Sequence, residues 1–490
     1  MKTKEPIQFT DENIQKIFGY EDAESEPIER LRQYYFKNEI FARVVADLPI
    51  RILVGHKGIG KSALFKIAIA EDQENGNLPI LIKPDDIAEL AEKRDENFLL
   101  TIRKWKFGLI EIIGKKVLSE FGMNDDGFSG KIIQFGGKIM SLISDSVTSL
   151  KDKINIKPTQ KILLDSFLKK NKIIVYIDDL DRGWQGKKDD ITRISALLNC
   201  IRDMCNENLG LYFRVSLRSD VFYAVRTSDE STDKIESAVI WHSWTNHEIL
   251  VMLVKRIFTY DKEQIDERQL LKTTQAHVAS HLTRVMEKTF HGRGKWENVP
   301  TYKVLMSLIR RRPRDLVKLC TLAARKAYVN KRNIISADDF QSIFEEYSTG
   351  RMTDTENEFK SELPDIKRLL YGMKPSKKGL SAANSYVLNT PELHLKINNI
   401  IERGKFYFAN GQTATAKELS HFLYKINFLT ARKQTEDGFI HRKYFEENQY
   451  LSSTFSDFGY DWEIHPAYRW ALQPDSINDI YSKLILSSDN

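Results

Sequence analysis

The aliphatic runs set the framework. Ile50-Arg51-Ile52-Leu53-Val54 has four aliphatic residues in five, and Leu78 to Ile82, Ile173 to Ile177 and Gly210 to Leu217 are of the same kind. Runs this apolar predict parallel strands covered on both faces. Between them, apolar positions recur three or four residues apart. Ala63 to Ala70 predicts a helix buried nearly all round, and 97–121 a long amphipathic helix through Phe98, Leu99, Ile102, Trp105, Leu109, Ile110, Ile113 and Val117. Ile139 to Leu150 is again helical in pattern. Asp85 or Asp86 suits the cap of a helix running through Leu90. Strands alternating with helices predict an α/β core with a parallel sheet.

The ends differ. Residues 1–30 are polar and finish acidic (Glu21, Asp22, Glu24, Glu26), which predicts a flexible lead-in. Leu31, Tyr34, Tyr35, Ile40, Val44 and Val45 predict one helix over 28–45. From Thr245 the pattern becomes helical: Glu248 to Ile257, then 302–309 and 315–328, the last two split by Arg310-Arg311-Arg312-Pro313-Arg314-Asp315. Pro313 and Asp315 suit a helix start. Arg314 is expected to point back over a ligand from a helical lid, and the other arginines to form a solvated edge. Met373 to Gly379 is expected as a linker. Beyond it, helices at Leu393 to Ile401 and Ala416 to Phe428, then strands at Phe439 to Phe445 and Tyr460 to His465, predict a winged-helix-like domain. The expected divisions are 1–30, lead-in; 31–244, core with a helical insertion at 97–170; 245–350, lid; 351–385, helix and linker; and 386–490, the C-terminal domain.

Candidate chemistry sits at two strand ends. Gly55-His56-Lys57-Gly58-Ile59-Gly60-Lys61-Ser62 is G-x-x-x-x-G-K-[ST], placed between a strand and a helix, where phosphate binding needs it. Glycines let the backbone N–H groups of the loop face a polyphosphate, and the helix N-terminus adds its positive end. Gly55, His56, Lys57, Gly58, Ile59, Gly60, Lys61, Ser62 and Ala63 are the candidate nucleotide contacts. Lys61 is expected on the β- and γ-phosphates and Ser62 on Mg²⁺. More than a hundred residues later, the strand ending in Asp178-Asp179 supplies a Walker B pattern. Asp178 is the candidate second metal contact, and Asp179 the candidate base for the attacking water. Arg218, at the end of the next strand, is a candidate sensor of the γ-phosphate or a partner of Asp220. Arg182 is a cation that could approach a neighbouring subunit's nucleotide, but is more simply a surface ion pair.

Composition changes this little. The chain has 490 residues, 41% hydrophobic and 29% charged, with a net charge of +6. That permits nucleic-acid binding without demanding it. Three cysteines, Cys200, Cys205 and Cys320, form neither a disulfide framework nor a metal-ligand spacing. With no signal-peptide pattern and no stretch long enough for a membrane span, a cytoplasmic protein is expected, with no membrane partner.

Taken together, the loop Gly55 to Ser62, the string Ile177-Asp178-Asp179-Leu180-Asp181-Arg182 and the string Arg312-Pro313-Arg314-Asp315 resemble P-loop ATPases of the AAA+/STAND type. The Asp-Asp-Leu-Asp-Arg string is also similar to that of KAP P-loop NTPases. Phe18 to Glu24, with Tyr34-Tyr35-Phe36, resembles a set of bacterial ATPases, some linked to defence against mobile DNA. The resemblance covers about residues 18–350 and implies an ASCE-type sheet, Arg218 in the sensor 1 region and Arg314 at sensor 2. The chain departs from many AAA+ proteins in carrying Asp179 where they carry glutamate. It also lacks the membrane helices of many KAP relatives.

The expected function is an ATP- and Mg²⁺-dependent molecular switch that hydrolyses ATP and signals through self-association or a partner protein. One alternative is an ATP-dependent DNA-binding protein acting through the C-terminal domain. A small-molecule kinase is a third, disfavoured by the acidic pair and the lid.

Overall fold

The computed structural model describes residues 5–92, 97–123, 138–150, 157–228, 230–292, 296–375, 386–434, 440–447 and 459–472. Gly127, Gly130, Gly136 and Gly137 of the insertion, linker positions 376–379 and Phe439 lie outside these. The chain divides into two compact units. One runs from Lys37 to Lys57 and from Lys61 to His242; the other holds the residues up to Phe36, Gly58–Gly60 and those from Ser243 onward.

The first of these units is built on a five-stranded sheet, β1 (Ile50–Val54), β2 (Leu78–Ile82), β3 (Ile173–Ile177), β4 (Leu211–Leu217) and β5 (Val239–Trp241). The order is β2-β3-β4-β1-β5 and every pairing is parallel. The aliphatic character of the strands follows, since helices cover both faces and leave no wet side. Arg214 is a charged residue in these strands. It is buried in β4, and its guanidinium donates to the carbonyls of Ala46, Leu48 and Phe213 at 2.8, 2.9 and 3.0 Å, which meets the cost of burying it.

Helices Lys61–Glu74, Phe98–Glu120, Ile139–Leu150, Pro158–Lys170, Lys188–Glu207 and Ser219–Ser228 surround the sheet. Asn97 caps the long one by accepting from the Leu99 and Leu100 N–H groups. The apolar stripe of that helix is buried through Trp105, Leu109, Ile113 and Val117, so the insertion packs on the core of its own unit. Besides the helix Ser219–Ser228, three further elements go beyond the sequence reading. Lys188–Glu207 carries its stripe in Ile194, Leu197, Leu198, Ile201 and Met204, Pro158–Lys170 starts at a proline, and β5 has only three residues.

In the other unit, two expectations are corrected. The lead-in holds a helix, Asp11–Phe18, capped by Thr10, with Ile7, Phe9, Ile14, Ile17 and Phe18 buried. Five large apolar side chains among polar neighbours supply enough buried area to order the segment. The single helix over 28–45 is two, Ile28–Tyr34 in this unit and Glu39–Val45 in the sheet-bearing one. Tyr35 turns extended, Phe36 is buried, and the Asn38 side chain accepts from the Phe41 N–H to start the second helix. The first piece belongs with the helix Asn246–Tyr260, where the Arg256 guanidinium lies 4.5 Å from the Tyr34 ring centre.

The same unit packs helices Asn246–Tyr260, Thr301–Leu308, Pro313–Val329 and Ala337–Phe359 around an apolar core. A hairpin of β6 (Thr289–His291) and β7 (Glu297–Pro300) is added. The arginine string is not a solvated edge. Arg310 and Arg312 are 4% and 2% exposed, as is Asp315 at 1%. Arg310 donates to both Asp315 oxygens at 2.8 and 3.0 Å and to the Tyr468 hydroxyl at 2.6 Å, and Arg351 adds a third bond to Asp315 at 2.7 Å. Multiple charge-assisted bonds are what make burial of a carboxylate tolerable.

The C-terminal region forms a four-stranded antiparallel sheet in the order β10-β9-β11-β8 (Ile440–Lys443, Leu429–Gln434, Asp461–Ile464, Val387–Leu388), with helices Thr390–Ile401 and Ala416–Lys425. The second helix, expected to run to Phe428, stops at Lys425, and Leu429–Gln434 just beyond it is one of the two inner strands.

Candidate nucleotide site

All five parallel strands end at the same edge of the sheet, where α/β proteins bind ligands. The end of β1 leads into the glycine loop. Gly58 and Gly60 have φ of 79° and 107°, left-handed values that side chains rarely adopt. A Cβ on Gly58 would also lie 3.1 Å from the Arg314 Cβ. Lys61 opens the next helix, and its ammonium donates back to the Gly55 and His56 carbonyls at 2.7 and 3.2 Å. Ser62 follows in the first turn, beside the helix N–H groups that have no intrahelical acceptor.

The strand order puts β4 between the loop strand and the acid strand. Both are tied to it. The Ser219 hydroxyl, just past β4, meets buried His56 Nδ1 of the loop at 3.0 Å. The Ser216 hydroxyl donates to Asp178 Oδ1, and the Asp179 N–H donates to the same oxygen at 3.0 Å. At the end of β5, the His242 N–H donates to the Val54 carbonyl at 2.7 Å. Burial, with Lys61 adding to it, pushes the His242 imidazole down to about 3, so it stays neutral.

The two acids of the Walker B pair part company. Asp178 faces Ser216 at the strand end. Asp179 has φ 60°, and its carboxylate pairs with Arg182 at 3.1 Å, with 45% and 62% of the two side chains exposed. Arg182 thus makes a surface ion pair in the structure. Two residues on, Asp181 returns inward and is only 13% exposed; Arg218 Nη1 lies 3.5 Å from its Oδ2. Arg218 also holds buried Asp220 through Nε and Nη2 at 3.0 and 2.5 Å. Burial raises the Asp181 carboxyl, against the pull of Arg218 and Lys61 and with help from Asp220 and Asp179. The turn is fixed by Trp184, buried, whose N–H donates to the Asp181 carbonyl at 3.0 Å.

Arg314 has its backbone N–H 3.4 Å from the Gly58 carbonyl, and its Nε donates to the Glu21 carbonyl at 2.9 Å. Glu21 also pairs with Lys318 at 3.0 Å. The acidic string of the lead-in is therefore anchored through Glu21.

The residues fit a magnesium-bound triphosphate. The loop has the glycine conformations of a phosphate cradle, with a lysine and a serine at a helix start and a carboxylate one strand away. Among the described residues, no group of three His, Cys, Asp or Glu could hold a metal unaided. Mg²⁺ shared between Ser62, Asp178 and phosphate oxygens would not need one. Sequence reasoning missed Ser216, His242 and Asp181, while the pairing of Arg218 with Asp220 was one of its two readings. Ser216 had a signal, as a polar residue in an apolar strand, and Asp181 lay in the same acidic string as the expected base. No described helix is long and apolar enough to cross a membrane.

Residues 261–356 match the family model described as the FunZ-associated C-terminal helical domain. The chain is 21% identical to the putative transposon gamma-delta 80.3 kDa protein of Escherichia coli (strain K12), over 96% of this chain and 70% of that protein. Among solved structures, it is similar to a Walker-type ATPase of Pyrococcus abyssi, with TM-score 0.39 and 12% identity, covering 85% of this chain and 95% of that one. It is also similar to the Aeropyrum pernix ORC1 protein in complex with DNA, with TM-score 0.35 and 12% identity, covering 91% and 90%.

Proposed function

We propose that this chain binds ATP with Mg²⁺, hydrolyses it, and uses the cycle as a molecular switch. One observation carries the reading: a single strand separates the glycine loop from the acidic strand end, and side-chain bonds tie both to that strand. Lys61 would neutralise the β- and γ-phosphates, and the loop N–H groups would orient them. Ser62 and Asp178 would hold Mg²⁺, which supplies charge neutralisation on the transferring phosphoryl group. Arg218 would sense the γ-phosphate, and Arg314, bonded to Gly58, would act from the helical lid.

The output is to self-association or a partner protein. The similarity along 96% of the chain to a protein named for a transposon supports a link to mobile DNA, and the likeness of Phe18 to Glu24 and Tyr34 to Phe36 to defence-linked ATPases supports a role in defence against it. The test is phosphate release from ATP with Mg²⁺, with sizing of the protein in the presence and absence of nucleotide. Release together with a change in size supports the switch; neither binding nor release defeats it.

A second reading, ATP-controlled DNA binding, is favoured by the β9–β10 ribbon. There Lys433 and His441 pair across the strands and are exposed, while Arg432 and Arg442 face inward. Binding that weakens steeply with salt would support it.

A further inference from the structure

We propose that Asp181, and not Asp179, is the carboxylate that takes the proton from the water attacking the γ-phosphate. This rests on the ATPase reading above and names the base within it.

The two candidates are placed differently. Asp179 sits at φ 60° with nearly half its side chain in solvent, and Arg182 neutralises it from the same turn. An exposed, paired carboxylate is a weak proton acceptor. Asp181 is enclosed at the strand-end edge, with Arg218 and Asp220 beside it from the end of β4 and Lys61 acting on it from the helix after the loop. Arg218 is the γ-phosphate sensor in this reading, and the Asp181 carboxylate, 3.5 Å from its Nη1, faces the group that would meet the terminal phosphate.

Asp181 is not needed to hold Arg218. Asp220 already takes two guanidinium nitrogens at 3.0 and 2.5 Å, whereas the contact to Asp181 is a looser 3.5 Å. A nearly buried carboxylate with so loose a partner is costly to keep for structure alone, and such groups cluster at functional sites. Burial also raises its proton affinity toward the working range of a base.

The step balances without another reagent. The water oxygen bonds to the γ-phosphorus, and one water proton moves to an Asp181 oxygen. The bond from phosphorus to the β,γ-bridging oxygen breaks, ADP keeps that electron pair, and the proton then passes from Asp181 to solvent or to the released phosphate.

The experiment compares full-length wild type, Asp181→Asn, Asp181→Glu and Asp179→Asn in binding of a fluorescent ATP analogue and in phosphate release. Thermal melting checks that each variant folds. The expected result for Asp181→Asn is analogue affinity within about threefold of wild type and hydrolysis slowed by about 10²–10⁴, the range for loss of a general base. Asp181→Glu should recover part of the rate, which a packing role would not. Asp179→Asn should fall by less than about tenfold, well short of a lost base. The assignment is overturned if Asp181→Asn hydrolyses ATP at the wild-type rate, if it loses binding and hydrolysis together, or if Asp179→Asn shows the larger loss. A wild-type protein that binds the analogue but releases no phosphate would instead bring down the ATPase reading, and this assignment with it.

Discussion

The Ser219 hydroxyl and His56 Nδ1 lie 3.0 Å apart, joining the end of one core strand to the second residue of the glycine loop that follows another. His56 is 1% exposed and Ser219 fully buried, so the bond is made away from solvent. It fixes where the loop leaves the sheet, and through the loop where Lys61 starts its helix. Ser219→Ala should therefore destabilise the protein by about 1–3 kcal/mol, the cost of leaving a buried polar partner unmet. Nucleotide affinity should weaken as well. Chemical denaturation and an ATP-analogue titration, run on the same variant, read both effects.

Asp178 accepts from Ser216 and from the Asp179 N–H, which leaves its second oxygen for a metal. Asp178→Asn keeps an acceptor for those bonds but loses the charge. Nucleotide should then bind with little response to Mg²⁺, and hydrolysis should fall by at least about a hundredfold if the ion carries the phosphoryl charge. Titrations with and without Mg²⁺ provide the check, and an unchanged metal response would remove Asp178 from the site.

The buried cluster around Asp315 makes a claim about stability. Burial works to raise this carboxyl, but Arg310 and Arg351 overcome it and hold it well below the usual carboxylate range. A depressed native value means that the ion pairs contribute fully above the unfolded carboxylate value, near 4, and that the contribution is lost only as pH falls below that. Asp315→Asn should lower stability by about 3–5 kcal/mol at pH 7, because two buried guanidinium groups lose their counter-charge. The difference between wild type and variant should stay constant from pH 8 to about pH 5 and shrink in stronger acid. Urea denaturation across that range measures it.

The legibility of this chain in its sequence varied with the physics of each segment. The strands at 50–54, 78–82 and 173–177 were plain because a sheet buried on both faces tolerates almost no polar residue. β5 was not, since three residues carry too little pattern. The glycine loop and the Asp178 strand end were readable because their chemistry constrains local residue order. The pairing of Ser219 with His56, and of Ser216 with Asp178, links positions 163 and 38 residues apart, so only the fold brings them together. The arginine string misled for a related reason. Four basic residues in five predict a wet surface, yet Asp315 of the same string, with Thr355 and Tyr468 from far along the chain, satisfies Arg310, and Arg351 adds its charge to the Asp315 cluster. The lead-in was misread from its acidic composition, while its few apolar side chains did the packing.

The central claim is that the loop from Gly55 to Ser62 binds a magnesium-bound nucleoside triphosphate through Lys61. Its most direct measurement is a calorimetric titration of ATP with Mg²⁺ into the wild-type protein and into Lys61→Ala, with melting curves to show that both are folded. The account expects saturable binding to the wild type and a loss of at least about a hundredfold, or about 2.7 kcal/mol, in the variant. Equal affinity in the two folded proteins, or no binding to the wild type, would contradict it.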